Sequence, residues 1–128
     1  MRVTPSLVQR FALCALLGFG VLLSACRKNE KPAMLTNLEM QTALEKAFKQ
    51  TGPEARALVD AVLTALESGQ TPQAFLQVNA LAGSPGLTKE QTKVVAQCRV
   101  SLNLELQAKA AKGETDASST LELYRTSK

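Results

Sequence analysis

The chain has 128 residues, a formal charge of +4 and neither histidine nor tryptophan, so imidazole bases, Ser-His-Asp and Cys-His arrangements and ordinary histidine-bearing zinc sites are excluded. Its length suits one small domain with one hydrophobic core. With four phenylalanines and one tyrosine, the apolar content is aliphatic and alanine-rich, which favours helices over a sheet.

The first element is a leader. Arg2 and Arg10 precede an apolar stretch from Phe11 to Ala25, and Arg27, Lys28, Asn29, Glu30 and Lys31 follow it at once. The charged start and short apolar run have the build of an export signal. Spanning a bilayer takes roughly 20 apolar residues, so an uncleaved transmembrane anchor is the weaker reading. The run closes on Leu23, Ser24, Ala25 and Cys26: an aliphatic residue, two small residues and a cysteine.

Over residues 1–26 the chain thereby resembles bacterial lipoprotein precursors. The resemblance implies that the Cys26 thiol receives a diacylglyceryl group, that the bond after Ala25 is cut, and that the protein is then held on the cell envelope by its acyl chains. Two such chains give nearly permanent attachment at about 0.8 kcal/mol per buried methylene. In enterobacterial lipoproteins an aspartate directly after the lipidated cysteine favours retention in the inner membrane. Arg27 stands there, so the resemblance favours the outer membrane, facing the periplasm. No family is recognised over residues 27–128.

Cleavage would leave 103 residues with 13 basic and 11 acidic side chains, a balance of +2 that removes the main support for nucleic-acid binding. Residues 26–34 form a polar tether containing Pro32. A helical domain is expected over 35–113. In its first helix, about 37 to 50, Thr36 is the N-cap, Glu39 the capping-box partner, and Leu35 packs on Met40 as a staple. Met40, Ala43, Leu44, Ala47 and Phe48 share the inner face.

Thr51, Gly52 and Pro53 open a second helix that ends near Ser68 and Gly69, with Ala55, Leu58, Val59, Val62, Leu63 and Leu66 as its stripe. Thr71 followed by Pro72 reads as a cap and first turn for a short third helix carrying Phe75, Val78, Leu81 and Ala82. Gly83 to Gly86 end it. Thr88 with Gln91 is a second capping box, starting the longest helix, which runs to about Lys112 with Gly113 as a left-handed C-cap.

The main stripe of that helix is Val94, Val95, Cys98, Leu102 and Leu106, with Val100 and Leu104 as a smaller apolar pair on the far side. The favoured reading is that the helix is central, both its sides are covered and the pair is core; otherwise Val100 and Leu104 mark a partner contact. At about 36 Å, the helix must overhang its neighbours or lie against something else. Residues 114–128, rich in Thr, Ser and charge, read as a mostly disordered tail with Leu121, Leu123 and Tyr124 as isolated apolar residues. The expected architecture is thus all-α, a small four-helix bundle-like domain behind a cleaved signal and a tether.

No catalytic constellation, glycine-rich phosphate loop or calcium loop is found, so no cofactor, metal or catalytic residue is expected. The carboxylate pairs Glu39 with Glu45 and Asp60 with Glu67 fall on solvated helix faces. Cys98 is favoured as a buried, inert core thiol, the alternative being an intermolecular disulfide that requires exposure. These features support a lipid-anchored, non-enzymatic interaction or structural module that meets an envelope protein, with homo-oligomers open. The alternative is a periplasmic inhibitor or carrier that holds an apolar ligand or peptide between the third and longest helices.

Overall fold

The computed structural model describes residues 34–128. The lipobox at Leu23, Ser24, Ala25 and Cys26, and all of the tether but Met34, lie outside the described residues. Met34–Lys128 is one compact unit. It is all-α, with five helices: α1 (Asn37–Ala47), α2 (Pro53–Glu67), α3 (Thr71–Ala82), α4 (Lys89–Ala111) and α5 (Thr115–Thr126).

Capping chemistry sets the starts of α1 and α4. Thr36 Oγ1 accepts from the Glu39 N–H while the Glu39 carboxylate accepts from the Thr36 N–H at 2.8 Å. Hydrogen bonding from Thr36 to the carboxylate, chiefly from its backbone N–H and secondly from its side chain, holds the Glu39 pKa below its ordinary value of 4.5. The contribution of the box is therefore complete above the ordinary glutamate range and is lost as pH falls through the lowered pKa. The α1 helix stops at Ala47, earlier than residue 50, because Phe48 leaves helical geometry at ψ 16° while keeping its ring fully buried.

At α4 the same reciprocal pair joins Thr88 and Gln91, at 3.0 and 3.1 Å. The buried Gln91 side chain also donates to the Ala47 carbonyl at 3.2 Å, tying the start of α4 to the end of α1. Thr88→Ala is expected to cost about 1 kcal/mol, read as a lower urea midpoint with an unchanged slope. An unaltered midpoint would show that the cap contributes nothing.

Two of the three left-handed glycines among the described residues close helices. Gly69 (φ +67°) and Gly113 (φ +91°) follow α2 and α4. Each completes a pair of closing bonds: Gly69 N–H to Leu66 O with Gln70 N–H to Ala65 O, and Gly113 N–H to Ala110 O with Glu114 N–H to Lys109 O. This two-bond closure satisfies the last carbonyls and sends the next helix back along the previous one.

The core is one cluster drawn from all five helices, including Met40, Leu44, Phe48, Val59, Val62, Phe75, Val78, Leu81, Leu102, Leu106 and Ala117. The α4 helix packs against α1, α3 and α5, whereas α2 packs against α1 and α3. On α4 the main stripe is buried at Val95, Cys98, Leu102 and Leu106, with Val94 half-buried. Leu35 joins the edge of the core, and its N–H donates to the buried Ser101 Oγ at 2.9 Å. The first described residues are thus pinned to the middle of α4.

Two expectations are corrected. Residues 114–128 are not a mostly disordered tail: Thr115–Thr126 is helical. Ala117, Leu121 and Tyr124 recur at helical spacing; Ala117 and Leu121 are buried and Tyr124 packs on the core. The Ser and Thr side chains fit the helix because Ser118, Thr120 and Thr126 donate to the carbonyls of Glu114, Asp116 and Glu122, four residues back. The overhang of α4 is what α5 lies against.

Thr71, secondly, does not cap α3. Gln70 occupies the N-cap without a side-chain bond. Thr71 is buried and bonds across to α4: its hydroxyl donates to Glu105 Oε1 at 2.7 Å, and Lys109 Nζ donates to it at 2.8 Å. Glu105 and Lys109 pair with each other at 3.5 Å.

Candidate interaction cleft on the long helix

Val100 and Leu104 are 40% and 43% exposed, so the core assignment of this pair is overturned. They lie on the flank of α4 away from its buried stripe, where α3 and α5 border them without covering them. Val100 and Leu104 instead line a cleft of about 270 Å³ with Arg99 and Asn103 of α4, Phe75 of α3 and Tyr124 of α5.

Two aromatic rings build the walls. Phe75 is fully buried, and its ring meets that of Tyr124 edge-to-face, with centroids 5.1 Å apart and planes at 75°; such pairs add roughly 0.5–1.5 kcal/mol beyond area burial. The Lys128 ammonium stands 4.7 Å from the Tyr124 ring centroid. Arg99 is exposed and takes part in neither of the two ion pairs among the described residues. No acidic side chain lines the cleft.

A second, smaller depression of about 140 Å³ adjoins it, lined by Ala82 at the end of α3, Leu87, and Thr92, Val95 and Ala96 of α4, with Arg99 shared between the two. The gap between the third and longest helices is therefore a shallow trough with one cation at its middle. Neither Arg99 nor Tyr124 stands out in the sequence. Arg99 lies beside the Val100–Leu104 pair, and Tyr124 is seven residues beyond Ala117, but only the fold of α5 onto α3 and α4 brings the ring to the cleft.

The other candidate residues are buried, held in structural contacts or simply solvated. Cys98 is fully buried, and burial pushes its thiol pKa up from 9.0 to about 11, the bond to its own backbone acting weakly the other way. A disulfide between copies requires an exposed thiol, which this is not. In a chain carrying Cys14→Ser and Cys26→Ser, the native protein at neutral pH is expected to react with a thiol reagent at least roughly 100-fold more slowly than the urea-unfolded chain, two pKa units being a factor of that size in thiolate. Equal rates would place Cys98 at the surface.

Of the acidic pairs, Glu39 is held in its capping box and Asp60 accepts from Arg56 at 3.0 Å; Glu45 and Glu67 are exposed. Among the described residues no three His, Cys, Asp or Glu side chains are grouped to hold a metal ion, and no helix is long and apolar enough to cross a membrane. Comparison of the chain with known protein families, with curated proteins and with solved structures finds no match in any of the three.

Proposed function

We propose that the chain is a lipoprotein of the bacterial cell envelope, acylated at Cys26, whose helical domain is a non-enzymatic module that holds another envelope protein near the membrane. The outer membrane, facing the periplasm, is the preferred site because Arg27 follows the cysteine. The observation that carries the interaction reading is the exposed pair Val100 and Leu104 in a cleft walled by the Phe75 and Tyr124 rings. Met34, Leu38, Leu76 and Leu123 are exposed as well; what sets Val100 and Leu104 apart is that they share one concavity with the Phe75 and Tyr124 rings. The cleft also supports a protein partner over the carrier reading. Small-ligand pockets enclose most of their ligand's surface, and this cleft is open to the outside.

Two measurements test the proposal. Cys26→Ser is expected to abolish incorporation of radiolabelled fatty acid in growing cells; persistent label would refute the lipobox. A photo-crosslinking side chain at position 103, in the cleft, is expected to give a discrete envelope-protein adduct in intact cells, and one at position 56, on the exposed face of α2, is expected to give none. Identical patterns from the two positions would remove the interaction reading.

A further inference from the structure

We infer that the trough along α4 is a dock for an acidic amphipathic helix of a partner protein, its apolar residues seated on Val100, Leu104 and Tyr124 and a carboxylate paired with Arg99. This rests on the reading of the domain as an interaction module and adds the chemistry of the partner. The first support is shape. From Thr92 to Leu104 the trough follows α4 for about 18 Å at 1.5 Å per residue, and a docked helix with anchors at i, i+3 or i+4, and i+7 needs only about 10 Å.

The second support is charge. Arg99 sits where the two depressions meet, it has no carboxylate partner among the described residues, and the lining contains no Asp or Glu. An acidic partner is complementary to such a surface, and a basic one is repelled. The same charge disfavours a second copy of this chain, because a two-fold contact would set each copy's cationic trough against the other's. A lipid surface fits less well, since Val100 and Leu104 line a concavity instead of projecting from a convex face.

Tyr124 provides a direct readout, because the chain has one tyrosine and no tryptophan. The full chain is anchored in phosphatidylcholine vesicles and titrated with a helical peptide free of Tyr and Trp, bearing leucines at i, i+3, i+4 and i+7 flanked by glutamates. A saturable change in Tyr124 emission is expected. Arg99→Glu is expected to weaken binding at least about 10-fold, the factor given by 1.4 kcal/mol, and Arg99→Gln to weaken it less. A peptide with lysines in place of the glutamates is expected to bind Arg99→Glu better than the unaltered protein. Unchanged circular dichroism and urea midpoint in both variants exclude a folding defect, consistent with the exposed, unpaired position of Arg99.

Equal binding of the two peptides to the unaltered protein, or indifference of the acidic peptide to Arg99→Glu, overturns the acidic partner. So does an emission change caused by phosphatidylglycerol vesicles without peptide, which assigns the trough to anionic lipid. A dimer that Leu104→Lys converts to monomer assigns it to a second copy and likewise overturns the proposal. An adduct from position 103 combined with charge-indifferent peptide binding removes the acidic partner and leaves the interaction module standing. No adduct and no peptide binding removes both.

Discussion

Phe75→Ala is expected to destabilise the domain by about 3–5 kcal/mol, the range for deleting a fully buried phenylalanine side chain. Phe75 is the largest side chain of α3, is fully buried, and carries the Tyr124 ring on its edge. Its removal opens a void between α3, α4 and α5 that neither aliphatic wall can fill without moving a helix. Where a domain has only about 5–15 kcal/mol to lose, such a loss unfolds a substantial fraction of the molecules. Phe75→Leu keeps most of the volume and is expected to cost less than half as much. Urea unfolding followed by circular dichroism measures both. A cost below about 1 kcal/mol for the alanine variant would mean that Phe75 is not part of the closed core. Tyr124 emission should also change in Phe75→Ala before unfolding begins, because its edge partner is lost.

Truncation after Gly113 is expected to be of comparable size, about 2–4 kcal/mol, and it separates the two descriptions of residues 114–128. A disordered tail can be removed without loss. Removal of α5 takes away the buried Ala117 and Leu121 and uncovers the Phe75 edge and the end of α4. Burying one leucine is worth roughly 1.5–3 kcal/mol and the ring pair roughly 0.5–1.5 kcal/mol more. The freedom regained by about a dozen residues offsets part of the sum. In a domain of this size each kcal/mol moves Tm by about 4–8 °C, so a fall of about 10 °C or more is expected on heating. An unchanged Tm would restore the tail description and remove Tyr124 from the cleft. Leu123→Ala is the internal control, since that side chain is mostly exposed and should change little.

The two variants bear on function in different ways. Truncation removes one wall of the cleft, so loss of the position 103 adduct in that background would follow from either lost shape or lost stability. Arg99→Glu leaves the walls intact and changes only the charge, which is why it carries the test of the partner's chemistry.

What can be read along the chain is whatever depends on neighbours three or four residues apart. Thr36 with Glu39 and Thr88 with Gln91 are reciprocal bonds closed within one turn, so their sequence spacing alone announces them. Gly113 after Ala111 and Lys112 is read the same way, because only the left-handed region closes the last carbonyls. The burial of Val95, Cys98, Leu102 and Leu106 follows from one helical period. The proposed lipobox is likewise local: the resemblance is carried by four consecutive residues.

Tertiary structure alone decided what depends on which helix meets which. Thr71 before Pro72 has the look of a cap, yet its hydroxyl goes to Glu105 and Lys109, more than thirty positions away. The Gln91 side chain closes its own box and also reaches Ala47. Ala117, Leu121 and Tyr124 carry a weak periodic signal amid Ser and Thr, and packing against α4 and Phe75 supplies the burial that this composition does not announce. Val100 and Leu104 are the sharpest case. Their apolar character is legible, but whether a neighbour covers them turns on how α3 and α5 pack beside that flank of α4, which is set by the sum of many interhelical contacts and not by any residue near position 100.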